Sequence, residues 1–158
     1  MKFNHIAITS VTLIAVFMLS LQVLNAQEEK VKDLYEEGTV WNVTYVRTHA
    51  NMDDQYLKGL AITWGAAMEK YVDAGLIVSY KILVGEASYE DDFNMMLMME
   101  FENFAAFDPD PEKDAKFEEI QKQLMEEMGD KYTEILENYP KIREILGSKT
   151  LREMMLKK

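Results

Sequence analysis

The chain has 158 residues, with 28 acidic and 17 basic side chains, a formal net charge of −11 and no cysteine. That balance excludes a surface built to hold nucleic acid or anionic lipid. The lack of thiols excludes disulfides, thiolate metal sites and a lipid-modified N-terminal cysteine, so the fold must rest on packing alone.

Residues 1–26 read as a secretory signal. Lys2 supplies the positive start, Ile6 to Leu24 is uncharged and mostly apolar, and Leu24-Asn25-Ala26 ends in a small residue, so cleavage is expected after Ala26. The expectation is a periplasmic or secreted protein with no membrane association after cleavage. The apolar stretch is long for a signal, which leaves a retained N-terminal membrane anchor as the alternative. The mature chain of 132 residues then carries 28 acidic against 16 basic groups and is enough for one domain with a real core.

Residues 27–38 form a charged lead-in, with Val31, Leu34 and Tyr35 at helical spacing. The domain proper is expected over 39–158. Its first strand runs from Thr39 to His49, with Trp41, Val43 and Tyr45 on one face, and with Asn42 and Thr44 as polar entries between Val40 and Val46 on the other. Asn51 reads as a helix N-cap before one continuous apolar stripe: Leu57, Leu60, Ala61, Trp64, Met68, Tyr71 and Val72. Gly75 ends it as a left-handed cap, and Gly59 and Gly65 within it suggest a close backbone approach.

Leu76 to Gly85 alternates as a second strand, with Val78, Tyr80, Ile82 and Val84 on one side. The segment from Asp91 to Phe107 is apolar on both faces: Phe93, Met95, Leu97, Met99 and Phe101 on one, Met96 and Met98 on the other. Asn103 caps a short helical turn, and Pro111 suits the start of a second long helix bearing Phe117, Ile120, Leu124, Met125 and Met128. Gly129 interrupts that helix, and Pro140 is expected to stop its continuation. A short helical piece, Lys141 to Leu146, and a final edge strand, Thr150 to Lys157, complete the chain.

Strand, helix, strand, strand, helices, strand is the split βαβ, ferredoxin-like order, an α+β fold with a four-stranded antiparallel sheet and helices on one face. The helices of so short a chain cover one sheet face. A third strand apolar on both faces therefore calls for a second subunit on the other, and a homodimer is expected.

Trp41-Asn42-Val43-Thr44, Gly75-Leu76-Ile77 with Ser79-Tyr80-Lys81, and Arg143-Glu144-Ile145-Leu146-Gly147 with Arg152-Glu153 resemble secreted bacterial members, without assigned function, of the dimeric α+β barrel superfamily. That superfamily includes antibiotic-biosynthesis-type monooxygenases, small lactone isomerases and haem-degrading proteins. The resemblance spans about Gly38 to the C-terminus and implies a cofactor-free monooxygenase or isomerase-like enzyme as one reading. Haem-degrading members are similar in having Asn on the first strand, here Asn42. They also use a His on the second long helix and a Trp near the end of the third strand. This chain has no His beyond His49, and Phe101 stands near the Trp position.

The chemical signals are sparse. Asp108-x-Asp110-x-Glu112-x-Asp114 imitates a calcium loop, but Lys113 occupies the position that needs Gly, and acids in a helix's first turn explain the same letters. Met95, Met96, Met98 and Met99 cannot all meet one copper ion, because neighbouring strand residues face opposite ways, and they read as gap-filling core. No metal site and no cofactor is expected. His49, the sole histidine after the signal, is a candidate base at a solvent-exposed strand end. Asn42, Thr44, Trp64 and Tyr80 are the candidate fittings for a small, mostly apolar molecule between helices and sheet. A structural or interaction module would pack that space solid.

Overall fold

A computed structural model describes residues 34–89 and 91–157; residues 1–26, expected to be a signal, and residues 27–33 of the lead-in lie outside the described residues. Contacts divide the chain into two units, Gly38–Glu153 and a second one of Met1–Glu37 with Met154–Lys158. In the second unit the Lys157 backbone N–H donates to the Leu34 carbonyl at 3.0 Å, and Lys157 Nζ lies 3.9 Å from the Glu36 carboxylate.

Four strands form one sheet: β1 (Tyr35–Thr48), β2 (Ser79–Val84), β3 (Met95–Phe101) and β4 (Arg143–Leu156), in the order β2-β3-β1-β4. β3 is antiparallel to both neighbours, with Val43 opposite Met98 and Lys81 opposite Met98 on the other side. β4 is antiparallel to β1 as well, since Thr39 meets Glu153, Asn42 meets Thr150 and Arg47 meets Glu144. The helices are α1 (Asp53–Ile62), α2 (Trp64–Asp73), α3 (Pro111–Met128) and α4 (Asp130–Ile142), with a 3₁₀ turn over Phe104–Phe107. This order and these pairings are the ferredoxin-like α+β fold expected from the sequence.

The period-2 alternation assigns the faces. Val46, Met95, Leu97 and Ile82 pack with Tyr56 and Leu60 of α1 and with Tyr139 and Ile142. Phe101, Met99 and Tyr80 pack with Ala67, Met68 and Tyr71 of α2 and with Leu124 and Tyr132. Trp64 belongs to both groups and joins them. The other face carries Trp41, Val43, Tyr45 and Arg47 from β1, Met96, Met98 and Glu100 from β3, and Lys81 and Leu83 from β2.

Several expectations are corrected at their edges. β1 begins at Tyr35, four residues ahead of Thr39, so the helical spacing of Leu34 and Tyr35 does not make a helix. β2 starts at Ser79, because Leu76 and Ile77 belong to the turn that the Gly75 and Leu76 N–H groups close onto Val72 and Tyr71. β3 starts at Met95, and Phe93 leaves the Met95 face to place its ring 4.9 Å from Tyr45. The cause is Asn94, whose side chain turns in to bond Thr48 and Asp53 and breaks the alternation.

The expected single first helix is two, broken at Thr63. The Thr63 hydroxyl donates to the Gly59 carbonyl at 3.0 Å, a back-bond that bends helices and leaves no trace in the apolar period. Asn51 is not the cap. It takes the left-handed turn, with φ of 64°, that Asn tolerates, and Met52 precedes α1. Pro140 lies inside α4, where only the last turn has to do without its N–H, and the helix runs on to Ile142. Residues 143–146 are therefore strand, and β4 has 14 residues in place of the eight expected.

Candidate functional site

The register puts four of the five candidate residues together. Tyr80 is opposite Met99, which is opposite Asn42; one row along, Ile82 is opposite Leu97, which is opposite Thr44. Asn42, Thr44 and Tyr80 thus stand on the helix-covered face within two adjacent rows. Trp64, at the start of α2, sets its ring edge-on to Tyr80 with centroids 5.5 Å apart. All four are half-buried, whereas Val40 and Val46, at either end of the same β1 face, are sealed.

The polar partners differ. Asn42 Nδ2 donates to the Thr150 hydroxyl of β4 at 3.3 Å, which orients its amide toward the sheet edge. Burial raises the Tyr80 hydroxyl above its ordinary pKa, and the charge of Glu69 on α2 adds to this, so the phenol stays protonated and donates toward that carboxylate. The row therefore offers an amide and a hydroxyl on an otherwise apolar floor of Leu97 and Met99, beside two aromatic rings.

His49 stands apart. It is exposed beyond the end of β1, its Nδ1 lies 3.0 Å from the Lys141 carbonyl, and its N–H donates to the Ile142 carbonyl. These bonds tie the end of β1 to the end of α4. No other candidate residue is within its reach, so the structure does not bring it into the row.

Sequence reasoning missed a polar group one layer deeper. Thr63, 1% exposed, meets the Tyr139 hydroxyl, Tyr139 stands edge-on to Tyr56 at 5.1 Å, and the Arg143 guanidinium lies 5.5 Å and 5.9 Å from those rings. Burial pushes the Tyr139 hydroxyl up to about 12 and also raises Tyr56, against the pull of Arg143. The Arg143 Nε is buried without a hydrogen-bond partner. Gly59 was the available signal: a Cβ there would lie 2.9 Å from Tyr139, so the close approach is to α4 and not to the sheet.

The calcium-like run resolves as helix capping, with the Asp110 carboxylate accepting from the N–H groups of Glu112 and Lys113 at 3.1 Å each. Among the described residues no group of three His, Cys, Asp or Glu side chains is placed to hold a metal ion, and no helix is long and apolar enough to cross a membrane.

No family model and no curated protein matches the chain. Among solved structures, a dimeric ferredoxin-like protein from an uncultured marine organism is similar at 15% identity over 78% of this chain and 91% of its own, with a TM-score of 0.40. A dimeric protein of unknown function with a ferredoxin-like fold, from Bacteroides fragilis, is similar at 14% identity over 75% of this chain and 97% of its own, with a TM-score of 0.37. The architecture assigned to this chain stands on its own strand order and connections.

Proposed function

We propose that the chain is exported, loses residues 1–26, pairs with a second copy through the free face of its sheet, and holds a small, mostly apolar molecule between that sheet and its helices. The observation that carries the reading is the sheet itself, which has apolar side chains on both faces and helices on one. The free face presents Trp41, Tyr45, Met96 and Met98 half-buried, and Leu83, Leu146 and Leu151 between 37% and 46% exposed. With strands about 4.8 Å apart and a rise of about 3.4 Å per residue, it extends over roughly 500 Å² in projection. The same face carries Lys81, its Nζ 4.0 Å from the Trp41 ring, and Glu100, which accepts from the Thr39 and Ser79 hydroxyls. It offers both signs of charge, so two copies related by a two-fold axis can set unlike charges against each other.

Sedimentation of the mature protein at micromolar concentration tests the pairing. The expected result is a dimer that Met98→Lys dissociates or unfolds, since the new ammonium would be buried unpaired. A compact monomer of the unaltered protein refutes it. Uptake of 1-aminoanthracene by the unaltered protein and by Asn42→Leu and Trp64→Ala tests the ligand row, with no saturable uptake as the contrary result. A cofactor-free isomerase or monooxygenase reaction in the same row is the second reading, for which the Tyr80 hydroxyl beside Glu69 is the available hydrogen-bond donor.

A further inference from the structure

At the end of the sheet where β3 runs out, the turn from α2 to β2 and the first turns of α3 enclose a cavity of about 550 Å³, within the size range of small-molecule pockets. None of Asn42, Thr44, Trp64 or Tyr80 lines it. Its floor is apolar: Leu76, Ile77 and Phe101 are each at most 8% exposed, and Ala106 is half-buried. Gly75, also in its lining, takes the left-handed conformation, φ of 66°, that turns the chain from α2 into this wall.

The charges around it are of two kinds. Glu102, Glu112 and Lys116 are exposed, and Asp110 is occupied in capping α3. Lys113 is fixed. It is half-buried, its Nζ donates to the Ala106 carbonyl at 2.6 Å, and it stands 5.8 Å from the centre of the Phe101 ring. That carbonyl takes one of the three protons of the ammonium, which leaves donors and a full positive charge beside an apolar floor.

From this juxtaposition we infer that the cavity is a second ligand site, for a small organic acid whose apolar body lies on Ile77 and Phe101 and whose carboxylate meets Lys113. A pre-placed, partly desolvated ammonium binds a carboxylate more strongly than mobile surface charges do, because less order is lost on binding. The inference does not rest on the ligand row or on the dimer.

The test uses three probes of one shape, 3-phenylpropionate, 3-phenylpropionamide and 3-phenylpropylamine, titrated into the mature protein and followed by backbone amide shifts. The acid is expected to bind at least about ten times more tightly than the amide or the amine, with shifts clustered at Gly75–Val78, Phe101 and Ala106. Lys113→Met is expected to abolish the advantage of the acid over the amide, while the exposed control Lys122→Met leaves it intact. Should Lys113→Met fail to fold, raised salt applied to the unaltered protein must weaken the acid and spare the amide. Equal binding of acid and amide, an advantage that survives Lys113→Met, shifts centred on Trp64 and Tyr80, or no saturable binding of the acid at about 10 mM would each overturn the inference.

Discussion

Tyr139→Phe isolates the buried hydroxyl pair that locks α4 against the break between α1 and α2. The Thr63 hydroxyl has one proton and gives it to the Gly59 carbonyl, so the bond between the two side chains is donated by Tyr139. Removing the phenol therefore leaves Thr63 satisfied as a donor, and the loss at neutral pH is about 1 kcal/mol. Alkaline pH gives the sharper reading. The Tyr139 pKa is raised by burial to about 12 from an ordinary 10, so the folded state keeps a proton that the unfolded state releases. The stabilisation is complete below pH 10 and is lost as pH rises toward 12. Two pH units correspond to about 2.7 kcal/mol, which solvent screening near the ring reduces to about 1–2 kcal/mol. Urea unfolding of the two proteins at pH 8, 10 and 11.5 should show the unaltered protein losing its advantage over Tyr139→Phe across that window. Tyr80 shifts in the same direction, remains in both proteins and cancels in the difference, whereas Tyr56 and Tyr132 act on Tyr139 through charge, so the difference reports Tyr139 together with that coupling. A difference between the two that stays constant from pH 8 to 11.5 would refute the reasoning.

Gly59→Ala should destabilise the fold despite gaining about 1 kcal/mol of helix propensity. The new methyl would lie 2.9 Å from Tyr139 Cε1 and 3.1 Å from Ile135 Cγ2, and overpacking of that kind costs about 1–3 kcal/mol. Thermal melting reads the sign directly, and a raised melting temperature would contradict the close approach. Asp53→Ala should cost about 1–3 kcal/mol, because the Thr48 hydroxyl and the Asn94 amide both lose their charged acceptor at the junction of β1, β3 and α1. Chemical denaturation checks it, and an unchanged midpoint would mean that the three elements are held together by packing alone.

The strands and their faces were legible because alternation is displayed by a single sequence: Tyr80 and Ile82 point one way and Met96 and Met98 the other, as the letters indicate. What was hidden depended on single groups acting across the fold. Nothing in the run from Leu57 to Val72 distinguishes one helix from two, since the apolar stripe passes through Thr63 without changing period. The break is made by a hydroxyl that competes for the Gly59 carbonyl and by a tyrosine 76 residues away. Pro140 and Gly147 misled for a related reason. Each reads as a helix terminator, yet Pro140 sits where only the last turn lacks its N–H, and Gly147, at φ of 149°, lies within a strand.

The candidate row shows the same division. Asn42 and Thr44 were identifiable as polar letters on an apolar strand face, and Tyr80 as a neighbour two strands away once the order β2-β3-β1 is drawn. The cavity beside Lys113 was not identifiable. Its floor comes from a turn, its wall from the first turns of α3, and its fixed charge from a lysine whose position is set by the Ala106 carbonyl. Sequence period assigns a face to a residue but says nothing about which ammonium is held and which is free. That difference decides where a carboxylate binds, so the two proposed sites differ in kind: one is written in alternation along strands, the other only in the geometry of a loop against a helix.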